Sequence, residues 1–198
     1  MWNRLDRSKR LLNCIFASGL IYYLTYLSTY QLTEYFEFTH STSWIYLPSG
    51  IRMMLVLVLT GCGAFGVALG TFAIECLIIH SGDLTYNLIT SLVAGGSAYL
   101  GWVVSQRIFK LKCDLHELTA RQLLGICVVF AIVCPLSHQL WFWFYGHTRD
   151  FWPSFLVMSI GDFGGCIVVL AVIQFTLKVF RSGQTEMDIS VLLGSLPL

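Results

Sequence analysis

Long apolar stretches broken by short polar clusters run the whole length of the chain. A basic start, MWNRLDRSKR, gives way to LLNCIFASGLIYYLTYL, and comparable apolar runs recur at about 48–80, 85–105, 121–144 and 152–179. Runs of roughly 18 residues or more can cross a hydrocarbon core of ~30 Å as helices, which satisfy their own backbone polar groups where no water can. The pattern predicts an all-α, polytopic membrane protein. The basic-then-apolar start has the order of a signal peptide. Its apolar part is too long, however, and lacks a small-x-small cleavage site, so it reads as a retained first membrane helix.

Residues 48–80 are the ambiguous part, one run interrupted by Gly61-Cys62-Gly63. As a single span it would put the basic loop with Arg107, Lys110, Lys112 and Arg121 on the opposite side from the basic N-terminus, against the positive-inside rule. As two spans it puts every cluster on one side. The prediction is therefore six transmembrane helices at about 11–31, 48–61, 63–80, 85–105, 121–144 and 152–179, with a tight inner turn at Gly61 to Gly63. Ten of the twelve basic residues then lie in the cytoplasm, with Arg52 and Arg149 elsewhere. Tyr30, Tyr35, Trp44, Tyr46, Trp141, Trp143, Tyr145 and Trp152 collect on the outer side as an aromatic belt. The second helix is short: at 1.5 Å per residue, ~14 residues reach about two thirds of the ~30 Å core, so its ends need burial by neighbours.

Composition agrees: 56% of the 198 residues are hydrophobic and 12% charged, against about 25% charged in an ordinary soluble domain. The domain reading is a basic cytoplasmic N-terminus at 1–10, one six-helix transmembrane domain at 11–180 and a cytoplasmic tail at 181–198. Lys and Arg sit in short clusters at helix ends and make no binding face, so no nucleic acid is expected. The seven cysteines contain no C-x-x-C pair, which suggests neither a disulfide framework nor a metal site. No nucleophile with a base, phosphate-cradling loop or carboxylate pair beside water is recognisable, so neither enzyme nor cofactor is expected.

Three ionisable groups fall at membrane depth: Arg52, Glu75 and Asp162. Each costs ~2.5–3.5 kcal/mol at a helix centre, so each should face the interior and find a partner. Arg52 and Glu75, on antiparallel neighbours, come to similar depth. Either they form a permanent ion pair that fixes packing, or some of the three meet a polar ligand, ion or proton from the outer side. Gly63, Gly66 and Gly70, and likewise Gly161 and Gly165, have the spacing that lets helix backbones approach. His138 shares a face with Cys127, Cys134 and Trp141 and reads as a hydrogen-bonded core histidine. His80 and His116 read as solvated. Tyr22, Tyr26 and Tyr30, at i, i+4 and i+8, read as a helix contact in preference to a ligand-stacking wall.

The segment SWIYLPSGIRMMLVLVLTGCGAFGVALGTF, with SIGDFGGCIVVLAVIQF further on, resembles the first type of membrane-associated sensor domain, found at the N-terminus of bacterial histidine kinases and diguanylate cyclases. The resemblance covers roughly residues 40–180. It implies roles for Trp44, Pro48, Gly50, Gly70, Asp162 and Gly164, and a sensory input function. The chain departs from that family in having fewer helices and no kinase or cyclase module after residue 180. Its architecture is also similar to the substrate-binding S components of energy-coupling-factor transporters.

The expectation is a multi-pass protein of the bacterial cytoplasmic (inner) membrane, both termini inside, that recognises a polar ligand or partner in the outer half of the bilayer. Ligand-binding candidates are Arg52, Glu75, Asp162, Trp44, Pro48 and Gly50. Expected partners are membrane lipids and another protein, in the membrane or at the cytoplasmic face. A transporter subunit and a structural subunit of a membrane complex are the alternatives. The loop SQRIFKLKCDLHELTARQ has an amphipathic pattern that suits a cytoplasmic partner or the anionic inner leaflet. The apolar tail cluster Ile189, Val191, Leu192, Leu193, Leu196 and Leu198 suits docking to a partner or folding back. Thiol labelling of single-cysteine variants tests the topology: a cysteine at position 83 should react from the outer side only, and labelling from the cytoplasm would remove the two-helix reading of residues 48–80.

Overall fold

The computed structural model describes residues 2–39, 42–79, 82–110 and 118–194, with side chains at 7–31, 34–38, 42–79, 82–110 and 118–180. Six helices form: α1 (Trp2–Tyr35), α2 (Pro48–Leu59), α3 (Gly61–Ile74), α4 (Leu84–Phe109), α5 (Ala120–Tyr145) and α6 (Phe151–Gly194). A π-helical turn, Glu75–Ile79, continues α3. Five of the helices, α3 being taken with its π turn, are long and apolar enough to cross a membrane. The chain is thus an all-α polytopic protein whose expected six spans resolve into five long helices and one short one.

Successive helices alternate in direction. Ser18 of α1 meets Gly66 of α3 and Gly19 meets Gly70, so α1 and α3 run parallel. Gly101 of α4 meets Phe130 of α5, and Gly125 of α5 meets Phe109 of α4, so these two run antiparallel. One end of the bundle gathers Arg7, Lys9, Arg10, Arg107, Lys110, Arg121 and Lys178, and is called the basic end below. The other carries a small antiparallel hairpin, β1 (Glu37–Thr39) and β2 (Thr42–Ser43), which the sequence did not signal. Gln139 of α5 anchors it by donating from Nε2 to Thr42 Oγ1 at 2.9 Å, and Phe38 packs edge-to-face on Trp44.

Outward faces are apolar, with Phe16, Leu20, Phe65, Leu92 and Phe175 exposed. Inward positions are small or hydroxylated, and several buried serines return their proton to a carbonyl one turn back, as Ser18 does to Cys14 (2.8 Å) and Ser105 to Gly101 (2.7 Å). This inversion suits lipid, where close backbone approach and internal hydrogen bonds replace a hydrophobic drive between helices.

α2 has 12 residues, about 18 Å of helix. It opens on Pro48 at the first turn and packs against α1, α3, α4 and α6. Met53, Val56 and Leu57 lie in a core with Ile126, Phe130 and Cys166, while Leu55 joins a second core with Tyr22, Val67, Ile74 and Ala94. Burial of most of its length, with Val58 the one exposed side chain, is what makes so short a helix tenable.

Several boundaries differ from expectation. α1 takes in the basic segment expected to stand apart, since nothing in residues 2–10 breaks a helix, and α6 runs on through residue 194 across the expected tail. The tail's apolar cluster lies outside the described side chains. Residues 111–117 of the amphipathic loop, His116 included, lie outside the described residues, as does His80; the rest of that segment forms the end of α4 and the start of α5. The inner turn is at Thr60, not Gly61 to Gly63. A single residue at φ 49°, ψ −121° reverses the chain, while Gly63 instead lets α3 close on the backbone of Leu55 and Val56.

Thr60 is a β-branched, exposed residue in a region that favours glycine. Thr60→Gly should relieve this strain and raise stability by about 1 kcal/mol, seen as a higher melting temperature in detergent. A lower one would show that the turn is not strained.

Candidate functional site

Tyr22, Tyr26 and Tyr30 form one stripe on α1, and that stripe is a wall of a cavity of about 280 Å³. α2 contributes Arg52, α3 and its π turn Thr71 and Glu75, α4 Thr90, and α5 His138 and Phe142. Glu34 and Glu37 border the cavity at the hairpin end, where Glu34 is exposed. The cavity therefore runs from an acidic rim to a buried arginine about one helical turn below the start of α2.

Arg52 is 2% exposed and Asp162 1%. The Arg52 Nη2 donates to Asp162 Oδ2 at 2.6 Å. Close packing makes this reach possible: a Cβ at Gly50 would lie 2.5 Å from the Gly165 carbonyl oxygen, so only glycine admits α6 there. The Ser49 hydroxyl lies 2.8 Å from the Tyr46 carbonyl and 2.9 Å from that of Asp162, sharing one proton across the same seam. Gly161 and Gly165 serve this seam differently from each other. Gly161 receives the backbone of Ser43 and Trp44 at the end of the hairpin, whereas Gly165 meets both the Tyr46 carbonyl and Ser49 of α2, so Gly165 alone serves the close helix approach expected.

The expected Arg52–Glu75 ion pair is absent among the described residues. Both residues line the same cavity, but α2 turns Arg52 toward Asp162 of α6, and Glu75 lines the cavity from the turn that continues α3. Glu75 is 5% exposed and its Oε2 has no hydrogen-bond partner, nor has Arg52 Nε. Both are charged groups whose unmet bonding is costly when buried. Glu75 opens the π turn, a helix distortion frequent at functional sites. It lies near enough to Tyr26 and Tyr86 to interact electrostatically with both.

The tyrosine stripe makes the helix contact expected and lines the cavity as well. Tyr22 is a helix contact, packing on Gly70, yet it also faces the cavity, where its hydroxyl meets that of Tyr46 at 3.0 Å. Tyr26 and Tyr30 present tilted rings with centroids 5.9 Å apart. His138 is the buried histidine expected, its Nδ1 donating to the Cys134 carbonyl at 2.8 Å, and it too lines the cavity.

Of the residues implied by the sensor-domain resemblance, Asp162 is the ion-pair partner, Pro48 starts α2, Gly50 closes the α2–α6 seam and Gly70 packs on α1. Trp44 is 45% exposed beside the hairpin, and a Cβ at Gly164 would meet nothing within 4 Å. Trp44, Pro48, Gly50 and Asp162 do not line the cavity, whereas Arg52 and Glu75 do. Sequence reasoning missed Thr71, Thr90, Glu34 and Glu37. A polar residue every third or fourth position on otherwise apolar helices was the available signal.

At the cavity's end of the bundle, Asp83 caps α4 by accepting from the amides of Thr85 (2.8 Å) and Tyr86 (3.2 Å). The Tyr145 hydroxyl donates to its other oxygen, and this bond, with the amides, holds the Asp83 carboxyl below its usual range.

The fold and site define a polytopic helical membrane protein with a polar cavity entering the bundle from one end. Comparison with protein-family models, curated proteins and solved structures finds no match.

Removing one member of the buried pair leaves the other uncompensated. Asp162→Asn should lower stability by about 3–5 kcal/mol, and the double replacement Arg52→Met with Asp162→Leu should recover most of it. Unfolding in detergent measures both, and an unchanged Asp162→Asn protein would show that the pair contributes nothing to the fold.

Proposed function

We propose that the protein is a ligand-binding module of sensory type in the bacterial inner membrane, taking a small polar ligand from the outer side and acting through another protein. The observation that carries this reading is the cavity, which extends from the hairpin end to membrane depth and is lined by two buried ionisable residues, Arg52 and Glu75, each with a side-chain atom that has no hydrogen-bond partner. Small-molecule sites combine such concavity with a few convergent polar groups. Clustering of the basic residues at the opposite end supports cytoplasmic termini and an outward mouth. The likeness to membrane-associated sensor domains supports the sensory class, and a substrate-binding transporter subunit would use the same cavity.

A structural-subunit reading draws on a different observation, the Arg52–Asp162 pair, whose packing role is complete without a ligand. The two readings part at Glu75, which a purely structural design has no reason to bury unpaired.

Purification from gently solubilised membranes, followed by mass spectrometry of retained small molecules and proteins, tests the proposal. The expected result is a small molecule retained by the unaltered protein and lost from Glu75→Gln, together with a copurifying protein partner. A Glu75→Gln protein that folds normally and keeps all the same small molecules would overturn the cavity as the site.

A further inference from the structure

The charge arrangement around the cavity is one-sided. Arg52 is answered within the protein by Asp162, at 2.6 Å and away from the cavity. The other acidic or basic residues that line it, histidine aside, are Glu34, Glu37 and Glu75, all acidic. Two of them stand at the mouth and the third is deep inside. Such a gradient raises the local concentration of cations and works against anions.

Glu75 adds the demand of a specific site. It is 5% exposed, lines the cavity, and its Oε2 has no partner in the protein. A carboxylate at membrane depth is normally paired. The facing wall supplies the second half of cation recognition: the Tyr22, Tyr26 and Tyr30 rings, whose π faces attract ammonium groups and whose bodies accept apolar carbon. Ile74, Ile78 and Phe142 extend the apolar lining.

Size and donor set narrow the cation. A volume of about 280 Å³ sits at the low end of small-molecule pockets, ~300–1,000 Å³, and suits a single ring or short chain. A metal ion is disfavoured because no group of three or more His, Cys, Asp or Glu side chains gathers among the described residues.

We infer that the cavity binds a small organic cation, its ammonium group paired with Glu75 and its carbon body laid along the Tyr22–Tyr26–Tyr30 wall. This rests on the ligand-binding reading above and gives it a chemical class. The ammonium comes from a free amine in the outer aqueous phase or from the headgroup of an aminophospholipid.

Three probes of one shape and different charge test it: tyramine, its neutral alcohol counterpart tyrosol, and the anion 3-(4-hydroxyphenyl)propionate. Calorimetry on the full chain in phosphatidylglycerol nanodiscs should show tyramine binding roughly 10–100-fold more tightly than tyrosol, as expected for a charged hydrogen bond, with the anion weakest. In Glu75→Gln the advantage of tyramine should vanish while tyrosol binding stays. Should that variant fail to fold, the charge series on the unaltered protein decides alone. Equal or tighter binding of tyrosol or the anion overturns the cation and leaves the ligand-binding reading standing. Absence of binding by all three also overturns it, and if the purified protein retains no small molecule the ligand-binding reading falls with it. Repeating the titration with phosphatidylethanolamine in the discs separates the sources. Weakened tyramine binding assigns the lipid headgroup and unchanged binding the free amine, and either supports the ammonium site.

Discussion

The hairpin end of this bundle is organised around the burial of Arg52. A guanidinium at membrane depth is tolerable only with an anion at contact distance and with water and lipid both excluded. Asp162 supplies the anion at 2.6 Å, and the pair is 1–2% exposed. Meeting that requirement imposes others. α2 must approach α6 closely, so Gly50 faces Gly165 and the loop at Tyr46 rests on the same glycine. α2 must also be shielded on its remaining sides, which α1, α3 and α4 do. The short length of α2 is then tolerable, because most of its residues from Pro48 to Leu57 are buried by these neighbours.

The number and order of the helices were readable because they depend on one-dimensional quantities, the length of apolar runs and the position of basic clusters. The short second helix, the alternation of direction and the gathering of basic residues at one end follow from these. Lateral placement was not readable in the same way. In a soluble protein an apolar stripe points to the core, whereas here lipid and core are equally apolar and the stripe loses its meaning. Arg52 could therefore be assigned a depth but not a neighbour, and Glu75 was matched to it on depth alone. The tyrosine stripe was visible as a pattern, but a wall of a cavity and a contact between helices have the same spacing. Tyr22 satisfies both at once. The hairpin of five strand residues had no signal above its surroundings, and Gln139 in the middle of α5, which anchors it, read as one polar residue on an apolar helix.

The three ionisable groups at membrane depth divide into two kinds once their partners are known. Arg52 and Asp162 neutralise each other and hold α2 to α6, so their first role is to fix geometry. Glu75 has no such partner, and it sits where α3 changes from α to π geometry, on the wall opposite a rigid, mutually bonded seam. A fixed side and an unsatisfied side bounding one cavity is the arrangement expected of preorganised recognition, in which the scaffold is paid for by its own contacts and the free group is reserved for a ligand.

The walls also differ in how firmly they are held. α2 and α6 are joined by an ion pair, the Ser49 hydrogen bonds and closely packed glycines. α1, which carries the tyrosines, packs on α3 through Ser18 and Gly19 with Gly66 and Gly70 and through Tyr22 in a shared core with Val67 and Ile74, while its outward face is exposed apolar surface. A ligand that spans Tyr26 on α1 and Glu75 on α3 would add a polar bond across a seam otherwise held by packing. Its binding energy would bear directly on the position of α1, the helix that also carries Arg7, Lys9 and Arg10 at the opposite end of the bundle. A ligand at one end would shift helix placement at the other only by as much as its affinity differed between alternative positions of α1.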